Sequence, residues 1–117
     1  MVKTFQDLLV WEKGHNLVLE VYKMTKFFPR EEQFGLTSQI RRSCISICAN
    51  IAEGYRKSSN DFCRYLDIAQ GSLEETKYHL ILSRDLGYLK IDQYKQMFDC
   101  TEEVGKMLNG LKQKIRG

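Results

Sequence analysis

Four blocks of this sequence place apolar residues alternately three and four positions apart, the spacing of one face of an α-helix. The first runs from about Phe5 to Phe28 and carries Leu8, Trp11, His15, Val18 and Tyr22. It stops at Pro29, the only proline in the chain, whose ring and missing N–H cannot continue a helix. "PREEQFG" (29–35) then reads as a connecting loop. The second block starts near Leu36 and carries Ile40, Cys44, Ile47, Ile51 and Gly54, ending in "KSSND". Ser58 or Ser59 there is suited to cap a third helix, with Asp61 favouring its positive end. Phe62, Leu66, Ala69, Leu73, Thr76, Leu80 and Ser83 follow, up to Gly87, a residue placed for a left-handed stop. The fourth block opens near Ile91 and carries Tyr94, Met97, Thr101, Val104, Leu108, Leu111 and Ile115. The spacing predicts helices over 6–28, 36–57, 60–86 and 91–115.

Helices of this length, at about 1.5 Å per residue, are rods of ~30 to 40 Å joined by short loops. Short loops make sequential helices antiparallel neighbours, so the expected fold is all-α: an antiparallel up-down-up-down four-helix bundle with crossing angles near ~20°. The 117 residues form a single domain, 1–117, large enough to bury roughly two-thirds of the surface of the unfolded chain. No repeat or low-complexity linker divides it.

One bundle does not use all the apolar surface. Between Arg42 and Glu53 lie ten residues without a formal charge. Beyond the seam of the second helix, Ile45, Cys48, Ala49 and Ala52 form another apolar face. The first helix has a second stripe in Val10, Gly14, Leu17, Val21 and Met24, and the third adds Ile68, Leu82 and Leu86 beside Gly71. Helices apolar on two sides imply either a larger core within one chain or contact with another chain; self-association is the reading taken, and closed rotational symmetry is the general rule for such assemblies. Ser46, Asn50, Glu53 and Lys57 lie along one stripe of the second helix. Glu53 and Lys57 can pair at i,i+4, while Ser46 and Asn50 offer hydrogen bonds that fix helix or subunit register. Gly54, on the seam, permits close helix approach, and Gly71 is read in the same packing role.

Chemistry-bearing constellations are sparse. His15 lies on an apolar seam, and His79 follows Glu75 by one turn without a third ligand or a nucleophile, so both read as packing or local contacts. The Glu-x-x-His pairs of helical di-metal sites are missing, as are glycine-rich phosphate loops. No enzyme activity, cofactor or metal is expected. Cys44, Cys48, Cys63 and Cys100, with no signal peptide, read as reduced thiols of a cytoplasmic protein. No apolar run approaches the ~20 residues of a membrane span.

Net charge is +3 and the pI about 8.7, compatible with an anionic partner without demanding one. The charge is unevenly shared. Residues 36–58 carry Arg41, Arg42, Arg56 and Lys57 against Glu53, whereas residues 59–88 carry five carboxylates against Arg64, Lys77 and Arg84. One reading pairs these adjacent helices electrostatically. The other makes the cations a basic surface for RNA or DNA phosphates, with Arg41 and Arg42 at one end of the second helix and Arg56, Lys57 and Arg64 clustered where the second and third helices meet, near Tyr55 and Tyr65 for base stacking.

Five stretches, "FQDLLVWEKGHNL", "FPREEQFGLTSQIRRS", "NIAEGYRKSS", "YLDIAQGSLEET" and "SRDLGYL", together resemble the bacterial four-helix-bundle proteins encoded within intervening sequences of 23S ribosomal RNA genes, the S23 family. The likeness runs from about Phe5 to Leu89; the fourth helix agrees in pattern alone. That family is similar to the accessory proteins of diversity-generating retroelements, which form five-membered barrels with a basic surface and associate with a reverse transcriptase and nucleic acid. The resemblance implies a homopentamer, and Arg41, Arg42, Arg56 and Lys57 as its basic positions. Two functional readings follow: a nucleic-acid-binding module, or a protein-binding scaffold such as a polymerase accessory subunit.

Overall fold

Each helix begins and ends where the sequence supplies a local reason. In the computed structural model, which describes residues 1–117, the helices are α1 (Leu9–Thr25), α2 (Leu36–Gly54), α3 (Ser59–Asp85) and α4 (Ile91–Arg116), with no strand. The loop carboxylate of Glu32 accepts the Leu36 N–H at 3.2 Å and so satisfies a free donor at the start of α2. Ser58 is the cap of α3, its hydroxyl accepting the Asp61 N–H at 3.3 Å. At the far end of α3, Gly87 takes φ 78°. Its N–H donates to the Arg84 carbonyl at 3.0 Å, and the Tyr88 N–H to Ser83 at 2.9 Å, which ends the helix sharply.

α1 is shorter than the expected 6–28. Residues Phe5–Asp7 form a separate 3-10 turn, because the Asp7 carboxylate accepts the N–H groups of Lys3 and Thr4 at 2.9 and 3.1 Å and closes the turn on itself. Leu8 is then extended (φ −77°, ψ 127°), and the helix restarts beyond it. α2 likewise stops at Gly54 rather than at residue 57.

Cross-helix contacts fix the topology. Arg41 reaches Thr25 and the Cys48 thiol faces the Trp11 carbonyl, so α1 and α2 run antiparallel. Thr76 meets Ser43 and Ser72 meets Ser46 between α2 and α3, while Asp67 pairs with Lys112 and Lys77 with Glu102 between α3 and α4. In each pair the residue number rises along one helix as it falls along its neighbour. The Lys13–Glu103 ion pair joins α4 to α1 and closes a ring of four, 43 × 25 × 22 Å.

The core is built from the expected seams of α2, α3 and α4, including Ile40, Ile47, Leu66, Leu73, Val104 and Leu108, all fully buried. α1 departs from expectation. Its buried stripe is Val10, Gly14, Leu17, Val21 and Met24, whereas Trp11, His15 and Val18 are half-buried and Tyr22 is exposed. Gly14 explains the choice: a methyl group there would lie 3.1 Å from the Cys48 sulfur, so α2 approaches this stripe more closely than a bulkier residue permits.

Candidate nucleic-acid interface

The turn from α2 to α3 spans four residues, Tyr55 to Ser58, and swings Arg56 and Lys57 out at one end of the bundle. Its tightness comes from Gly54, where a methyl group would sit 2.6 Å from Tyr65 Cβ and 3.0 Å from Phe62. The close approach draws Tyr65 against the turn. Lys57 Nζ lies 5.6 Å from the centre of its ring and the Arg64 guanidinium 4.9 Å, within cation–π range. The Tyr65 hydroxyl donates to Glu53 at 3.5 Å.

Arg64 also pairs with Asp61 at 3.7 Å, but Arg56 and Lys57 are exposed and take part in no ion pair. The expected Glu53–Lys57 pair does not form. The helix ends at Gly54, and the Lys57 N–H turns back to the Gly54 carbonyl at 3.0 Å, so Lys57 has left the helical register that an i,i+4 contact requires. Tyr55 is engaged too: it is half-buried and packs edge-on against Phe62, ring centres 6.1 Å apart. Tyr65 is therefore the aromatic side chain of the cluster.

Sequence reading clusters Arg56, Lys57 and Arg64 where α2 and α3 meet, and Lys57 and Arg64 do share the Tyr65 ring. Arg41 and Arg42 lie fourteen or more residues earlier, about 20 Å up α2. Arg41 donates from Nε to Thr25 Oγ1 at 2.9 Å and covers the Tyr22 ring at 4.3 Å, while Arg42 is exposed. Near Arg41 stand Lys26 and Arg30, cations to which sequence reading gave no role because they fall in a segment read as helix end and loop. The signal was available as basic residues gathered around the chain's one proline.

The polar stripe of α2 meets α3 of the same chain. Asn50 donates to the Ser46 carbonyl and hydroxyl at 2.8 and 3.1 Å, and the Ser72 hydroxyl donates to Ser46 at 2.8 Å. One turn further, Thr76 donates to Ser43 at 2.8 Å. Gly71 is exposed, and a methyl group on it would meet nothing within 4 Å.

On the opposite side, Trp11, His15, Val18, Ile45, Ala49 and Ala52 line an apolar hollow of about 320 Å³ between α1 and α2. Trp11 and His15 stack there with ring centres 4.9 Å apart and planes 8° from parallel. Ile45 is 42% exposed.

Burial pushes the Cys44 and Cys48 thiols up to about 12, leaving both protonated and unreactive at neutral pH, and burial raises Cys100 as well. All four cysteines are free thiols. His79 contacts Glu75 at 3.2 Å, and no three His, Cys, Asp or Glu side chains converge to hold a metal ion. No helix is long and apolar enough to cross a membrane.

Comparison with known proteins agrees with this architecture. A crystal structure of a protein with unknown function from the S23 ribosomal protein family of Bacteroides thetaiotaomicron matches with a TM-score of 0.82 and 30% identity, covering 89% of this chain and 98% of that one. No curated protein matches the sequence. The profile of the 23S rRNA-intervening sequence proteins matches residues 6–110, through the fourth helix that sequence reading related by pattern alone. With nearly the whole bundle matched in sequence and in fold, the chain belongs to the 23S rRNA-intervening sequence protein family.

Proposed function

We propose that this chain is a non-enzymatic, self-associating four-helix bundle that binds nucleic acid through the basic cluster at the α2–α3 turn. The observation that carries the reading is the pair Arg56 and Lys57, exposed and free of carboxylate partners, with Lys57 meeting Arg64 on the Tyr65 ring. Cations without internal partners are available to phosphates, and the half-buried Tyr65 ring beside them is an aromatic surface on which a base can stack once a cation moves to a phosphate. Self-association repeats the cluster on every subunit, so a modest net charge of +3 becomes a strong local field.

The apolar hollow between α1 and α2 supports the assembly, since it places a stacked Trp11–His15 pair and Ile45 at the surface. A ring of five is the order that the resemblance to retroelement accessory proteins implies. Light scattering coupled to gel filtration tests it; a 13.7 kDa species at micromolar concentration refutes association.

Nucleic-acid binding is tested by fluorescence anisotropy with short RNA and DNA at two salt concentrations. Each phosphate contact contributes about 0.9 to the log-log salt slope on duplex and about 0.7 on single strands. Replacing Arg56 and Lys57 by Gln lowers affinity and slope while the oligomer persists. Unchanged binding by that variant moves the site elsewhere. Absence of binding by the wild type at low salt favours a protein-binding scaffold, a reading supported by Phe27 and Phe34, which stand 87% and 88% exposed at the other end of the bundle.

A further inference from the structure

At the end of the bundle opposite Arg56 and Lys57, the α1–α2 connection borders a polar cavity of about 330 Å³, several times the ~30 Å³ share of one water molecule. Lys26, Arg30 and Arg41 line it with Thr25, Gln33 and Thr37, and no carboxylate does. None of the three cations makes an ion pair. The acids of the same loop are directed elsewhere. Glu32 accepts the Leu36 N–H through one oxygen and the Tyr88 hydroxyl, at 2.8 Å, through the other; Glu31 is exposed outside the cavity.

Arg41 is the fixed point. Its Nε donates to Thr25 Oγ1, which itself donates to the Val21 carbonyl at 2.8 Å, and the guanidinium rests on the Tyr22 ring. Both terminal nitrogens are left without a partner in the protein. A guanidinium held from one edge and one face, with its fork open, is preorganised for a bidentate oxyanion. Two further cations, a threonine hydroxyl and an amide beside it favour a phosphate, with its several acceptor oxygens, over a single carboxylate.

We propose that this cavity is a phosphate-binding pocket, with Arg41 as the positioned fork and Lys26 and Arg30 as exposed counter-charges. It stands on its own geometry and does not depend on nucleic-acid binding at the α2–α3 turn. The phosphate belongs either to a free or terminal phosphate group or to the diester backbone of a strand.

Calorimetric titration of the full chain at constant ionic strength separates these sources. Inorganic phosphate probes the free or terminal group, dimethyl phosphate the diester, and acetate the effect of a simple anion. The expected result is saturable binding of at least one phosphate probe, weaker or absent with acetate. Lys26→Gln combined with Arg30→Gln, changes at exposed residues that leave the helices intact, lowers that affinity about tenfold, and Arg41→Gln does the same. Arg56→Gln with Lys57→Gln leaves it unchanged, even where that variant loses nucleic-acid binding. No saturable binding of either phosphate probe overturns the pocket, as does full binding by both pocket variants or loss of binding in the Arg56/Lys57 variant.

Discussion

The α2–α3 and α1–α4 pairs are both antiparallel neighbours in one ring, yet they are joined by different materials. Between α2 and α3 the contacting residues are small: Gly54 against Tyr65, Ser43 against Thr76, Ser46 against Ser72. The helices close up until hydroxyls bond across the gap. Between α1 and α4 stand Lys13, Glu20, Lys23, Gln93 and Gln96, whose long side chains leave hollows of about 170 and 290 Å³ along the groove. A 3-4 apolar seam therefore decides that two helices meet, while the size of the residues flanking it decides how closely.

That contrast can be broken experimentally, beginning with the largest effect. Gly54→Ala forces a methyl group against a neighbouring Cβ at 2.6 Å, and neither partner can swing away; a loss of about 1–3 kcal/mol in urea denaturation is expected. Gly105→Ala on α4 serves as the control. There the methyl meets the flexible tip of Leu73 at 3.2 Å, and the better helix propensity of alanine offsets the contact to within about 0.5 kcal/mol. Gly105 faces α3 rather than α1, so equal losses at both glycines would show that α2 packs on α3 no more tightly than α4 does.

Alkaline pH gives the next effect. The Cys44 and Cys48 thiols titrate near 9.0 when unfolded and near 12 when buried, so the unfolded chain releases their protons first. Their contribution is whole below pH 9 and is lost as pH rises toward 12, about 1 kcal/mol for each thiol at pH 10. A Cys44→Ala/Cys48→Ala chain should show a flatter alkaline limb than the wild type, and Cys100→Ala, on the open α1–α4 side, a smaller change.

Ser43→Ala sharpens the comparison further. It removes one of two acceptors within reach of the Thr76 hydroxyl, which keeps the Ser72 carbonyl at 2.9 Å, and costs up to about 1 kcal/mol; adding Thr76→Val removes the remaining bond as well. Strict additivity in the double-mutant cycle would show that the hydroxyl bridge is not coupled. The smallest effect belongs to the open side: Lys13→Gln deletes the exposed 3.2 Å pair with Glu103 and changes stability by less than about 0.5 kcal/mol.

The seams of α2 and α3 were legible because each helix has one stripe whose residues repeat without a rival of similar bulk. α1 was misread because both of its stripes are apolar, and the heavier one, with Trp11 and Tyr22, looks more like a core. Burial followed Gly14 instead, since close approach to α2 is available on that side alone. A glycine in the middle of an apolar stripe was the informative letter, and periodicity does not weigh it. The basic cluster was legible as a place as well, since the short α2–α3 connection expected from the sequence brings Lys57 and Arg64 onto one ring, Tyr65. The Glu53–Lys57 contact failed at the same turn, three residues beyond the last helical one. Arg41 belongs to a different neighbourhood, set by a loop whose path no spacing rule gives.

The stack of Trp11 on His15 makes the molecule its own optical probe. Trp11 is the only tryptophan, and it sits half in water on the surface that self-association would cover. Its emission therefore reports that single surface, unmixed with signal from the core: were subunits to meet there, dilution that separates them would shift the spectrum to the red.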